Sequence, residues 1–146
     1  MAAPVRRGLA EWLVASCGVW HISLGLYFIL VRPALLPEDL RYMGVDAQAL
    51  YAAAPRLAEW LAKVFTVMGG FMAGAGVLIV HIGWTVMPLH ARGVAVALTL
   101  TGAFTLVLMT AVNFALHSDF RWLLALPPIV WFVALGLYAR ASSSAS

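Results

Sequence analysis

Read by polarity alone, the chain falls into four long apolar blocks separated by short polar punctuation. Trp12–Val31, Val64–Ala91, Gly93–Ser118 and Trp122–Ala139 contain no Asp, Glu, Lys or Arg. The shortest of them, 18 residues, extends about 27 Å as a helix, close to the ~30 Å hydrocarbon core of a bilayer. Inside lipid every backbone N–H and C=O must be satisfied within the protein, and unbroken apolar runs of this length do that as helices, not as alternating barrel strands. The pattern therefore predicts an all-α polytopic membrane protein, a four-transmembrane-helix bundle making one domain over residues 1–141. Its spans are expected at about 10–31, 57–86, 93–116 and 121–140, with a disordered Ser-rich tail at 142–146. Pro88, His90 and Arg92 mark the turn between the second and third spans, and His117, Asp119 and Arg121 the turn between the third and fourth.

The one long connection, residues 32–55, is patterned as a folded cap. Pro37-Glu38-Asp39 opens a short helix with proline in its first position and acids at the positive dipole end, and Gly44 closes it. Asp46 caps a second short piece, Ala47–Ala54, before Pro55 leads into the second span. Glu59 and Lys63 are spaced as an i, i+4 pair. Tyr42, Tyr51 and Trp60 suit the headgroup level. Leu36, Leu40 and Met43 are expected to face the bundle, with Glu38, Asp39 and Arg41 turned outward or paired with Arg121 and Asp119.

Composition sharpens this picture without changing it. The chain is 64% hydrophobic and 10% charged, with a mean hydropathy of +0.95, against about a quarter charged in soluble domains. Eight arginines against one lysine lean towards a GC-rich genome, and so a bacterial inner membrane. Arg6-Arg7 followed by Val14-Ala15-Ser16-Cys17 looks like a lipoprotein signal, but the apolar stretch before the cysteine is only Leu9–Val14 and holds Glu11, too short for the h-region. The first span is therefore expected to be retained. Arg6, Arg7, Arg92 and Arg140 fall on one side, and Arg32, Arg41, Arg56, Lys63 and Arg121 on the other. Five of the six acids share the second side, so both termini are assigned to the cytoplasm. The single cysteine, Cys17, excludes an intramolecular disulfide. The lack of any basic run beyond Arg6-Arg7 gives no reason to expect nucleic acid.

Polar residues inside apolar helices are the candidates for chemistry. His21 shares a face of the first span with Gly18 and Gly25. Haem ligation by His21 with His81 is disfavoured because their depths differ by about a turn, and the expected role is a neutral histidine bonded to a neighbouring helix. Thr99, Gly102, Leu106, Met109, Asn113 and His117 share one face of the third span, either as helix glue or as the lining of a cavity, with Asn113 needing a partner in the bundle. Gly70-xxx-Gly74 in the second span permits close helix packing, expected within the bundle's own core, with a dimerisation or passage surface as the alternative. At the cap end, Arg32, Glu38, Asp39, Arg41 and His117 are ligand or partner candidates. The similarity of Val19-Trp20…Leu24-Gly25-Leu26-Tyr27 to Val130-Trp131…Leu135-Gly136-Leu137-Tyr138 is read as coincidence, since the middle spans do not repeat it. Neither a zinc-protease, a phosphate-loop nor a nucleophile-elbow motif occurs, and no catalytic residue, metal ligand or cofactor is assigned.

The segment Gly25-Leu-Tyr-Phe-Ile-Leu-Val-Arg-Pro-Ala-Leu-Leu-Pro-Glu-Asp-Leu-Arg-Tyr-Met-Gly44 resembles a stretch of small bacterial four-helix integral membrane proteins. The layout of helix, cap and three helices is similar to that of the broad DoxX-like group. The resemblance implies a bacterial membrane and four spans, and it brings no catalytic residue. The function expected is a non-enzymatic accessory or binding component of the membrane. A small oligomeric transporter and a haem or quinone redox protein are the rivals. Lipid is the first partner, with a second copy or a larger membrane protein as further ones.

Overall fold

The computed structural model describes residues 7–143 and is helical throughout, with no strand among them. Helix α1 covers Leu9–Leu30. Two short helices come next, α2 (Pro37–Met43) and α3 (Ala47–Ala53). Helix α4 (Leu57–His81) runs on through a π turn, Ile82–Val86, and a tight 3-10 turn, Met87–Leu89. The third long rod is α5 (Val94–Gly102), a π turn at Ala103–Val107, and α6 (Leu108–Ala115). The last is α7 (Arg121–Leu124) with α8 (Leu126–Ser143). Four of these rods, Leu9–Leu30, Leu57–Leu89, Val94–Ala115 and Arg121–Ser142, are long and apolar enough to cross a membrane. The second, at 33 residues, would be about 50 Å long, so its ends extend beyond a ~30 Å core.

Local rules account for the cap. Pro37 stands in the first turn of α2, the Asp39 carboxylate accepts the Leu36 N–H at 2.8 Å, and Gly44 ends the helix with φ +67°, a left-handed position that glycine fills without strain. Asp46 caps α3 by accepting the N–H groups of Gln48 (2.9 Å) and Ala49 (3.2 Å). Glu59 pairs with Arg56 at 3.4 Å instead of with Lys63, because the arginine lies nearer on the same helical face. Helix α8 reaches Ser143, and the Ser142 hydroxyl donates to the Tyr138 carbonyl at 3.0 Å and meets His90 Nδ1 at 3.1 Å. The expected tail therefore starts later than residue 142; residues 144–146 lie outside the described residues.

The rods pack in the order α4, α1, α8, α5. Helix α1 meets α4 along two glycine pairs of identical seven-residue spacing, Gly18 and Gly25 against Gly76 and Gly69. A Cβ placed on Gly25 would lie 2.6 Å from Ala73 N and Gly69 O, and one on Gly76 would lie 2.7 Å from Gly18 O and Ile22 N. The two backbones therefore touch, and in lipid such close van der Waals contact is the principal attraction between helices. The glycine face expected to do this is not the one that does. Gly70 and Gly74 are exposed, and a Cβ on either would meet nothing within 4 Å. One step round the helix, Gly69 and Gly76 make the contact. At the far side α8 packs on α5 through Trp131, whose indole N–H donates to the Leu98 carbonyl at 3.1 Å and whose ring lies directly on Gly102.

Dense packing fills only one half of the bundle. Ala10, Val14 and Cys17 of α1, Ile79 and Met87 of the second rod, Leu98 and Leu106 of the third, and Trp131, Ala134 and Tyr138 of α8 form one buried cluster. Most of them lie in the half of the bundle nearest the N-terminus of α1, with Leu106 and Trp131 at mid-depth. Trp20 and Trp131 show that the two similar segments are not equivalent. Trp131 is 1% exposed and hydrogen-bonded, whereas the Trp20 N–H is buried without an acceptor among the described residues.

Gly25→Leu should separate α1 from α4, since overpacking of this kind costs about 1–3 kcal/mol or more. Gly70→Leu, on the open face, should leave the protein close to wild type. Thermal melting of both variants in the same detergent checks this, and equal losses would show that the glycine contact does not hold α4 in place.

Candidate functional site

Towards the cap α1 and α4 stay in contact through Gly25 and Gly69, and a cavity of about 400 Å³ opens between them and the other two rods beneath the cap. That is within the 300–1,000 Å³ typical of small-molecule sites. Helix α1 gives it Trp20, Leu24, Tyr27 and Phe28, and α4 gives Phe65 and Met68. Met109, Asn113 and Leu116 come from the end of the third rod, Phe120, Leu123 and Leu124 from the start of the fourth, and Arg32, Leu36, Glu38 and Asp39 from the cap. Most of this wall is apolar or aromatic. A smaller hollow of about 300 Å³ lies next to it under α2, bounded by Leu35, Tyr42, Met43, Leu57 and Leu61, and shares Glu38, Asp39, Phe65 and Leu116 with the larger one.

The roof is fastened by a polar clamp. At the end of α6, His117 turns left-handed (φ +51°) and the Ser118 N–H reaches back to the Asn113 carbonyl at 2.9 Å, a helix-closing turn in a conformation that histidine adopts more readily than most side chains. This turn lifts Ser118 towards α2. The Ser118 hydroxyl donates to Glu38 Oε1 at 2.8 Å, and the Asp119 backbone N–H donates to Glu38 Oε2 at 3.0 Å. Both carboxylate oxygens are thus engaged, as a buried carboxylate requires. Outside the clamp, Arg41 pairs with Asp119 at 3.0 Å. Arg121 donates to the His117 and Ser118 carbonyls at 3.2 and 3.0 Å.

Arg32 closes the cavity's rim. Its guanidinium lies 3.3 Å from Asp39, donates to the Pro33 carbonyl at 2.9 Å, and stacks 3.6 Å over the Phe65 ring, with Phe28 at 5.2 Å. The Arg32 side chain is only 9% exposed. A charge so covered is tolerated because a carboxylate, a carbonyl and an aromatic face all meet it.

Of the residues singled out from sequence, the structure brings Arg32, Glu38, Asp39 and Asn113 together in the cavity wall. Arg41 is an outer strut, and the His117 side chain is exposed, contributing through its backbone turn. His21 is buried just below the cavity and pairs through Nδ1 with the Cys17 carbonyl at 3.3 Å, on its own helix instead of a neighbour, while His81 is exposed. Asn113 likewise bonds its own helix, donating to the Met109 carbonyl at 2.9 Å. That bond fixes the amide's orientation and leaves its oxygen without a partner among the described residues. The stripe expected on the third span holds in its middle and not at its ends. Thr99 is exposed, Gly102 and Leu106 are buried, and Met109 and Asn113 reach the cavity.

Sequence reasoning missed Ser118, the centre of the clamp, because a serine before an acid reads as an ordinary turn. It also missed the aromatic wall of Trp20, Phe28 and Phe65, since aromatic residues in an apolar helix carry no signal of a void beside them.

Ser118→Ala should leave one Glu38 oxygen buried and unpaired, a loss of about 1–3 kcal/mol, and amides of Leu40–Met43 should exchange markedly faster. Arg41→Ala breaks only an exposed pair, worth about 0–1 kcal/mol, and should change exchange little. Hydrogen exchange read by mass spectrometry decides between them; the reverse ranking would place the cap's anchor at Arg41–Asp119.

No protein-family model, curated protein or solved structure matches the chain.

Proposed function

We propose that this chain is a non-enzymatic binding component of a bacterial inner membrane, and that it holds a lipophilic small molecule in the cavity between its four helices and its cap. One observation carries the reading: the rods pack densely at one end and border a partly open cavity of about 400 Å³, mostly apolar, at the other, roofed by a fastened cap. Ligand sites combine such an apolar body with a few placed polar groups, and here those groups are Asn113, Arg32 and Asp39. Their hydrogen bonds and ion pair hold the wall in shape. Each is already committed to a structural partner, as is the Ser118–Glu38 hydrogen bond that fastens the cap, which favours holding a molecule over transforming it.

The cap is taken to face the periplasm and both termini the cytoplasm. Support comes from the pairing of Arg32, Arg41 and Arg56 with acids at the cap end. At the other end Arg7 donates to the Trp84 carbonyl (3.2 Å) and lies 4.3 Å over its ring, with no acid paired to it among the described residues. Alkaline phosphatase fused after Met43 or Asp119 should be active, and fused after Arg140 inactive. The opposite pattern reverses the orientation.

Leu24→Trp should fill the cavity. Protein extracted gently from native membranes and measured by native mass spectrometry should carry about one small lipophilic molecule per chain in the wild type. The Leu24→Trp variant should carry none while melting normally. Equal occupancy in both would remove the cavity as the binding site.

A further inference from the structure

We infer that the cavity's occupant is an electrically neutral, single-chain amphiphile with a hydroxyl-bearing head placed between Asn113 and the Arg32–Asp39 pair; this rests on the binding role proposed above. Charge is the first argument. The charged groups in the wall are already matched: Arg32 with Asp39 at 3.3 Å, and Glu38 with the Ser118 hydroxyl and the Asp119 N–H. An anionic head drawn to Arg32 would also face Asp39 and Glu38, and a cationic head drawn to those acids would face Arg32. Where screening is weak, either arrangement leaves a charge uncompensated.

Hydrogen bonding is the second argument. The Asn113 side-chain oxygen is an acceptor without a donor among the described residues, and the Trp20 indole N–H is a buried donor without an acceptor there. Buried polar groups in native proteins are nearly always paired, so the Trp20 N–H points to a missing acceptor, while the half-buried Asn113 oxygen is an acceptor free to take a donor from an occupant. A hydroxyl group donates to the Asn113 oxygen, which a ketone, an ether or a quaternary ammonium cannot do.

Size and lining define the body. The cavity of about 400 Å³ is partly open, so it takes the head and the first part of one acyl chain, with the rest of the chain reaching out among the lipid. Met68 and Met109 stand on opposite rods of the wall, and their unbranched thioethers adapt to a bent chain.

The test uses three probes with one C18 chain and different heads: 1-monoolein, oleyl sulfate and oleyltrimethylammonium. Binding of tritiated monoolein to the full chain in detergent micelles is measured directly, and the charged analogues are used as competitors. Monoolein should bind saturably at one per chain, with both charged analogues at least tenfold weaker. Asn113→Leu should weaken monoolein about tenfold. Asp39→Asn, which can still accept the Leu36 N–H but leaves Arg32 without its counter-charge, should turn the preference towards oleyl sulfate. Leu24→Trp should abolish binding of all three.

Oleyl sulfate or the ammonium matching monoolein on the wild type would overturn the neutral head while leaving the cavity's binding role intact. Unchanged affinity in a folded Asn113→Leu protein, or unchanged preference in Asp39→Asn, would equally overturn the placement of the head. Absence of saturable monoolein binding would overturn the inference, with native mass spectrometry still reporting on the cavity itself. Saturable binding untouched by Leu24→Trp would sink both.

Discussion

The backbone contact between α1 and α4 sets the geometry on which everything else depends. Gly18 and Gly25 face Gly76 and Gly69 so closely that no Cβ fits between them, and α4 is thereby held chiefly to α1. Helix α8 occupies another side of α1 and carries the third rod with it through Trp131 and Gly102. The consequence is a row of helices folded round at one end only. Large side chains such as Trp131, Ile79 and Met87 close that end. At the other, α4 and α6 stand apart, and the gap between them is the cavity. A void of this size would be penalised in a soluble core, because its lining loses dispersion contacts. In this chain it is stabilised from both ends, by dense packing below and by a tethered cap above.

Two π turns interrupt the long rods. The one at Ala103–Val107 comes after Gly102 and precedes the cavity-facing stretch, with Leu98, Gly102 and Leu106 on the packed side and Met109 and Asn113 on the open one. Such turns are frequent at functional sites. The second, at Ile82–Val86, lies where Gly83 is buried and Trp84 meets both Trp12, with ring centroids 4.6 Å apart, and Arg7. It ends the long α4 rod against the start of α1.

Much of the architecture is legible in the sequence, for reasons that can be traced to single residues. Four uncharged runs demand four helices, and Pro37, Asp39, Gly44 and Asp46 act in the cap through local backbone rules that need no tertiary knowledge. The Arg41–Asp119 pair comes from opposite charges on two connections at the same end. Relations between helices are another matter. Gly69 and Gly70 are neighbours in sequence, and only the rotation of α4 about its axis decides which one meets α1. In a segment apolar all round, no polar face announces that rotation. The partners of His21 and Asn113 escape sequence reasoning in a related way: a side chain in a helix can satisfy itself on the carbonyl four residues back, which demands nothing of its neighbours. Ser118 becomes visible only once the left-handed turn at His117 has placed it against Glu38.

The two ways in which this protein fastens its parts are matched to where each operates. Within the apolar rods there is no hydrophobic drive to bring helices together, since a lipid tail is as good a neighbour as a leucine, so attraction must come from contact area at short range. Glycine provides that, because it removes the atom that would hold two backbones apart. At the cap end the same device would be weak, for α2 has only seven residues and little area to offer. There, water and headgroups make charged residues tolerable, and a carboxylate withdrawn from solvent gains most from directed donors. Glu38 is such a group: it receives one hydroxyl and one amide from the α6–α7 turn, and these two bonds span a separation of about eighty residues in the chain. Contact area holds the floor and walls of the cavity, and directionality holds its roof. The roof is therefore the part that a single side-chain change or a single hydrogen-bonding competitor can loosen, while the helices beneath it stay packed.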